Sequence, residues 1–172
     1  MLDFLELISR AIDRLNLVVG RLVSWVTLLV VLVVFTDVVM RYAFNTSFVF
    51  TQELEWHLFA FIFLMGAGYT LLREGHVRVD IIYQRLDRRG RAWVDLAGVV
   101  VFLLPGCYLV IATAIPFVVS SYLTGEGSPD PGGIPHRWLL KACVPAGFLL
   151  LGLQGISMAI KAIRVLAGRE TD

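Results

Sequence analysis

A chain of 172 residues with 58% hydrophobic and only 17% charged residues, and a mean hydropathy of +0.77, is too apolar for a water-soluble domain of its length. The net charge of +1 comes with no basic stripe of the kind that binds nucleic acid. Cys107 and Cys143 lie in apolar runs without CxxC or metal-ligand spacing, which leaves them as packing residues. The composition predicts an all-α membrane protein: four transmembrane helices plus short amphipathic interfacial helices, in one membrane domain over 1-172.

Residues 2–16 place Leu2, Leu5, Ile8, Ile12 and Leu15 at helical spacing, with Asp3, Glu6, Arg10, Asp13 and Arg14 mostly elsewhere. This reads as a helix lying on the membrane surface, or as an extension of the first span into water. The first span covers approximately 17-40, with Trp25 and Tyr42 as interfacial anchors. It is too long for the apolar core of a cleavable signal, and no small-residue cleavage site follows it. Asp37 stands four residues before Arg41, the spacing of a helical ion pair. Near the outer end of the span the pair reads as a structural pair or subunit contact, with an ion pathway as the alternative.

The second span, 54-72, opens at Glu53 and Glu55 and closes at Arg73. About seventeen residues from Trp56 to Leu72 carry no formal charge if His57 is neutral; a hydrocarbon core of about 30 Å needs roughly 20 mostly apolar residues. Gly66 and Gly68 thin one stretch for close helix contact, and Gly75 is expected to end the helix. Residues 76–92 hold the basic cluster Arg78, Arg85, Arg88, Arg89 and Arg91, and the spacing of Val79, Ile82, Tyr83 and Leu86 predicts another interfacial helix. The third span, 93-120, starts at Trp93, with kinks expected at Pro105-Gly106 and Pro116. The Gly- and Pro-rich run 122–136, carrying Glu126 and Asp130, predicts a structured loop. The fourth span, 138-163, is entered by Arg137, Trp138 and Lys141 and bent at Pro145. Gly155 and Ala159 form a small-residue pair, and Gln154 and Ser157 are candidates for polar contacts across helices.

With the first span begun at Leu22, so that Arg21 precedes it, and with Lys141 and Lys161 counted to the flanks of the fourth span, lysine and arginine number about three before the first span, one between spans one and two, six between two and three, two around the third connection and three at the tail. That alternation predicts cytoplasmic N- and C-termini. No histidine pair sits at matching depth for haem, no reactive cysteine pair serves a thiol oxidase, and no acid lies near the bilayer centre for a self-sufficient proton-coupled exporter. No catalytic, cofactor-binding or metal site is predicted. By elimination the chain is a membrane partner of something larger, and a self-contained homo-oligomeric carrier or exporter is the alternative.

The segment Gln52-Glu53-Leu54-Glu55-Trp56, the patch Met65-Gly66-Ala67-Gly68 and the run Arg73-Glu74-Gly75-His76-Val77-Arg78-Val79-Asp80 resemble the small membrane subunit of tripartite ATP-independent periplasmic (TRAP) transporters. The stretch from Gly125 to Trp138, followed by Lys141, Pro145 and Gln154, resembles the mannitol/chloroaromatic-type branch. The resemblance covers nearly the whole chain. It implies a bacterial or archaeal inner-membrane transporter in which a periplasmic solute-binding protein captures an organic acid or related solute and a large membrane subunit moves it with sodium ions, held in that subunit. The small subunit is implied to brace the large one. The family usually has an adjacent acidic pair where Leu54 here separates Glu53 from Glu55. On this reading Asp37, Arg41, Glu53, Glu55, Gly66, Gly68, His76, Asp80, Glu126, Asp130, Arg137 and Lys141 are expected to meet the large subunit or the binding protein. Trp25, Arg78, Arg85, Arg88, Arg89, Arg91, Trp93 and Trp138 are expected to anchor the chain to phospholipids or the cytoplasmic face.

Overall fold

A computed structural model describes residues 2–73, 83 and 86–168. The described residues are helical apart from short connections: α1 (Leu2–Phe44), α2 (Val49–Leu72), α3 (Arg88–Gly98), a π-helical segment (Val99–Leu103), α4 (Leu104–Leu123) and α5 (Trp138–Leu166). Helix α3, the π segment and α4 follow without interruption, so four helices are long and apolar enough to cross a membrane: Phe4–Phe44, Val49–Leu72, Arg88–Leu123 and Trp138–Leu166. The expected spans lie inside them, and three of the four extend well beyond the expected bounds.

Helix α1 takes the second of the two readings of residues 2–16, the extension of the first span. The stretch 2–16 is not a separate surface helix but runs unbroken into the span, giving one helix of 43 residues. At about 1.5 Å per residue this is roughly twice the thickness of a hydrocarbon core. The reason lies in its polar residues. Ser9 and Asn16 are 3% and 0% exposed, turned onto α5 rather than toward water. A helix packed along that length has no cause to break. It ends at Asn45, whose φ of 50° suits asparagine, and the Thr46 N–H returns to the Met40 carbonyl at 3.1 Å.

The order of contacts gives an up-down bundle. Helix α5 packs against α1, α2, α3 and α4, and α1 packs against α2. Small residues set these approaches. A Cβ placed on Gly147 would stand 2.5 Å from the Leu64 carbonyl oxygen, so α2 and α5 touch there backbone to backbone. Gly155 receives Leu103 and Val99, Gly152 receives Cys107, and Gly20 receives the ring of Tyr69. Gly68 is buried against Asn16 and the Leu150 carbonyl, whereas a Cβ placed on Gly66 would meet, among the described residues, Val23 at 3.6 Å and nothing closer. The start of α1 and the end of α5 lie at one end of the bundle, where Arg164 pairs with Glu6 at 2.8 Å; the loop 124–137 closes the other.

The kink expected at Pro105 takes a specific form. Proline has no N–H and its ring crowds the carbonyl four residues back, and the helix answers by widening into the π segment just before it. Pro116 and Pro145 are carried inside α4 and α5 without a break in the assigned helix.

Candidate docking surfaces at the two ends of the bundle

At the loop end, Glu53 is the organising residue. It stands in the second turn of α2 and is 5% exposed. Its Oε1 accepts from Ser128 Oγ at 2.5 Å and from Arg137 Nη2 at 3.2 Å; its Oε2 accepts from the Ile134 N–H at 2.5 Å. Three donors from one loop therefore converge on a carboxylate from another helix, and charge-assisted bonds of this kind are stronger than neutral ones. The loop adds its own ties: Glu126 N–H to Ser121 O, Arg137 N–H to Glu126 O, Ser128 N–H to Ile134 O and Gly133 N–H to Asp130 O, all within 3.1 Å. Gly132 adopts a φ of 83°, which only glycine reaches at no steric cost.

Beside this centre Lys141 and Glu126 form a second pair within the chain. Lys141 donates to Glu126 and its Nζ stands 3.9 Å from the Phe117 ring centroid. Hydrogen bonding from Lys141 holds the Glu126 carboxyl below the usual glutamate range, helped by the positive charge of Arg137. The Arg137 guanidinium lies 5.6 Å from the Trp56 ring centroid, and Trp138 meets Tyr122 edge-on at 5.3 Å. Glu55, two residues from Glu53 and so on another side of the helix, has a buried Oε1 without a hydrogen-bond partner among the described residues. The Asp130 carboxylate is exposed in the loop. Asp37, 3% exposed, is bound by Arg41, whose side chain is 49% exposed.

At the other end, a polar seam joins α1 to α5. Ser157 donates to Asp13 Oδ1 at 2.7 Å and shares a 2.7 Å bond with Ser9 Oγ. Gln154 donates to Asp13 Oδ1 at 2.9 Å and accepts from Asn16 Nδ2 at 2.9 Å, while Lys161 pairs with Asp13 Oδ2 at 2.5 Å. Gln154 and Ser157 thus find partners across helices on α1. Sequence reasoning missed those partners, although Ser9, Asp13, Asn16 and Gly20 recur at the spacing of a single helix stripe. Nearby, Asp87 caps α3 through the Gly90 N–H at 2.9 Å, and Tyr83 donates to Asp95 at 2.8 Å. A cavity of about 510 Å³ opens here, with Arg88, Arg91, Asp95 and Lys161 in its lining.

Of the expected site residues, the structure thus brings Glu53, Glu126, Arg137 and Lys141 together, leaves Asp130 at the loop surface, and sets Asp37 and Arg41 apart on α1. Trp93 is 61% exposed one turn beyond the basic start of α3. Trp25, 68% exposed, stands on α1 two residues beyond Val23, which packs against Gly66. His76, Arg78, Asp80 and Arg85 lie outside the described residues, as do Gly75 and most of the interfacial helix expected at 76–92.

This geometry defines a helical membrane protein whose charges serve to hold its ends together. The family profile described as tripartite ATP-independent periplasmic transporters, DctQ component, matches residues 30–165. The chain belongs to this family: it is a small permease subunit of a TRAP transporter, in a family of transporters rather than enzymes, and a multi-pass protein of the bacterial inner membrane. It is similar to a TRAP transporter small permease protein of Haemophilus influenzae, 28% identical over 150 residues, covering 87% of this chain and 86% of the relative. The ectoine TRAP transporter small permease protein TeaB of Halomonas elongata is 29% identical over 125 residues, 73% of this chain and 63% of the relative. The C4-dicarboxylate TRAP transporter small permease protein DctQ of Vibrio cholerae is 25% identical over 165 residues, 82% and 71% of the two chains. No solved structure matches the chain. Membership implies a large membrane subunit and a periplasmic binding protein as partners.

Proposed function

We propose that the chain is the static brace of a sodium-coupled carrier for organic acids or related solutes. The large subunit would hold the sodium ions and move the solute, and this chain would give it a counterpart fixed in the bilayer. One observation carries the reading. The stretches Leu22 to Thr36, Leu58 to Leu72, Leu96 to Leu123 and Ala142 to Ile160 contain no Asp, Glu, Lys, Arg or His, so the middle of the bundle offers no carboxylate, imidazole or basic side chain to an ion or an acidic solute. Several of the charges that flank it are paired to one another within the chain.

In this reading the loop end faces the periplasm and the end with both termini faces the cytoplasm, as the distribution of lysine and arginine favours. Glu53 and Arg137 shape the loop, and Asp130 with the rim of Glu126 and Lys141 meets the large subunit or the binding protein. Arg88, Arg89 and Arg91 hold anionic phospholipid at the cytoplasmic face. The loop from Gly125 to Trp138 carries the likeness to the mannitol/chloroaromatic-type branch.

Reconstitution tests the proposal. Liposomes holding this chain alone should take up no solute, and those holding it with the large subunit and the binding protein should do so only with a sodium gradient. Transport by this chain alone would return the self-contained carrier; uptake indifferent to sodium would remove the coupling.

A further inference from the structure

The π segment leaves a backbone acceptor without its helical donors. The Leu104 N–H donates to the Val99 carbonyl, the five-residue bond of a π turn, and is thereby withdrawn from Val100. The next donor along, at position 105, does not exist because that residue is proline. The Val100 carbonyl therefore has neither an α-type nor a π-type partner. No serine or threonine occurs between Arg88 and Ala112 to bond back to it, and where α5 meets this stretch it presents Gly152 and Gly155, which have no side-chain donor.

Val100 lies seven residues beyond Trp93, about 10 Å further along the helix and within the uncharged stretch Leu96 to Leu123. Val99 and Cys107 are buried toward α5, at 2% and 4% exposure, whereas Val100, Val101 and Phe102 are 53%, 59% and 76% exposed. Pro105 and Gly106 are exposed too, and Leu109, 63% exposed, continues the same side. A lipid tail has no hydrogen to donate, and irregular backbone at membrane depth is found only where protein buries it or where it lines a water-filled cavity.

We propose that the side of this helix turned away from α5, at Val101, Pro105 and Leu109, seats a transmembrane helix of the large subunit, which donates a side-chain hydrogen bond to the Val100 carbonyl. This rests on the subunit reading above. The lack of bulk at Pro105 and Gly106 lets a helix approach closely, and the need for a donor distinguishes that occupant from lipid.

The test places a photo-reactive amino acid at Val101 or at Leu109 in membranes containing the whole transporter. Cross-linking to the large subunit from both positions is the expected result. Adducts to lipid alone, or to a second copy of this chain, would overturn the proposal. A second variant, Leu109→Trp, adds bulk to an exposed position and should cause loss of the co-purifying large subunit with the chain's own thermal unfolding unchanged; undiminished co-purification would overturn the proposal as well. The two readings fail separately: if the unmodified chain captures no large subunit, the subunit reading falls, and if it does but the cross-links are absent, only this contact falls.

Discussion

Glu53 accepts three hydrogen bonds from a loop more than seventy residues away in sequence, and it comes from a different helix. Glu53→Gln keeps the shape and removes the charge, leaving Arg137, whose Nε already lacks a partner among the described residues, without its counter-ion. The expected cost is about 1–3 kcal/mol, that of stranding a buried polar partner, read as a lowered unfolding temperature in detergent and faster proteolysis within 124–137. An unchanged melting temperature would mean that the loop stands without it. Glu126 makes the companion prediction on pH. Its carboxyl is held below the usual range by Lys141, so the pair contributes fully above the ordinary glutamate value. That contribution should be lost as the pH falls through the lowered value in the folded protein. Glu126→Gln should flatten that part of the stability–pH curve.

At the scale of the helix, the closest approaches are set by glycine, and two substitutions separate contact from propensity. Gly147→Ala puts a methyl against the Leu64 backbone and should cost about 1–3 kcal/mol, as overpacking does. Gly98→Ala meets nothing within 4 Å and should be neutral or stabilising by up to about 1 kcal/mol. Thermal unfolding of the two variants side by side checks this, and equal effects would contradict the packing described. The spans themselves were legible in the sequence because hydropathy over some twenty residues is a strong signal. The continuity of α1 was only one of two readings, because an amphipathic stretch looks alike whether its polar side meets water or another helix. Ser9, Asp13 and Asn16 show the difference only when Gln154 and Ser157 are set opposite them. Glu53 was readable as special from its motif, yet its partners Ser128 and Ile134 were not, since nothing in a Gly- and Pro-rich run tells which backbone N–H will point inward. Pro105 announced a distortion without announcing that it would be a π turn.

For the whole molecule, α5 supplies contacts to every other helix while much of the apolar surface of α1 and α2 remains uncovered. A bundle built this way has a firm centre and broad faces for lipid or a partner. Its charges gather at the two ends, which is the arrangement the proposed brace requires. The most direct test is a mild-detergent pull-down of the tagged chain from native membranes, with the mass of every co-purifying protein determined. The brace predicts a large polytopic membrane protein in stoichiometric amount; a clean homo-oligomer of this chain would contradict it.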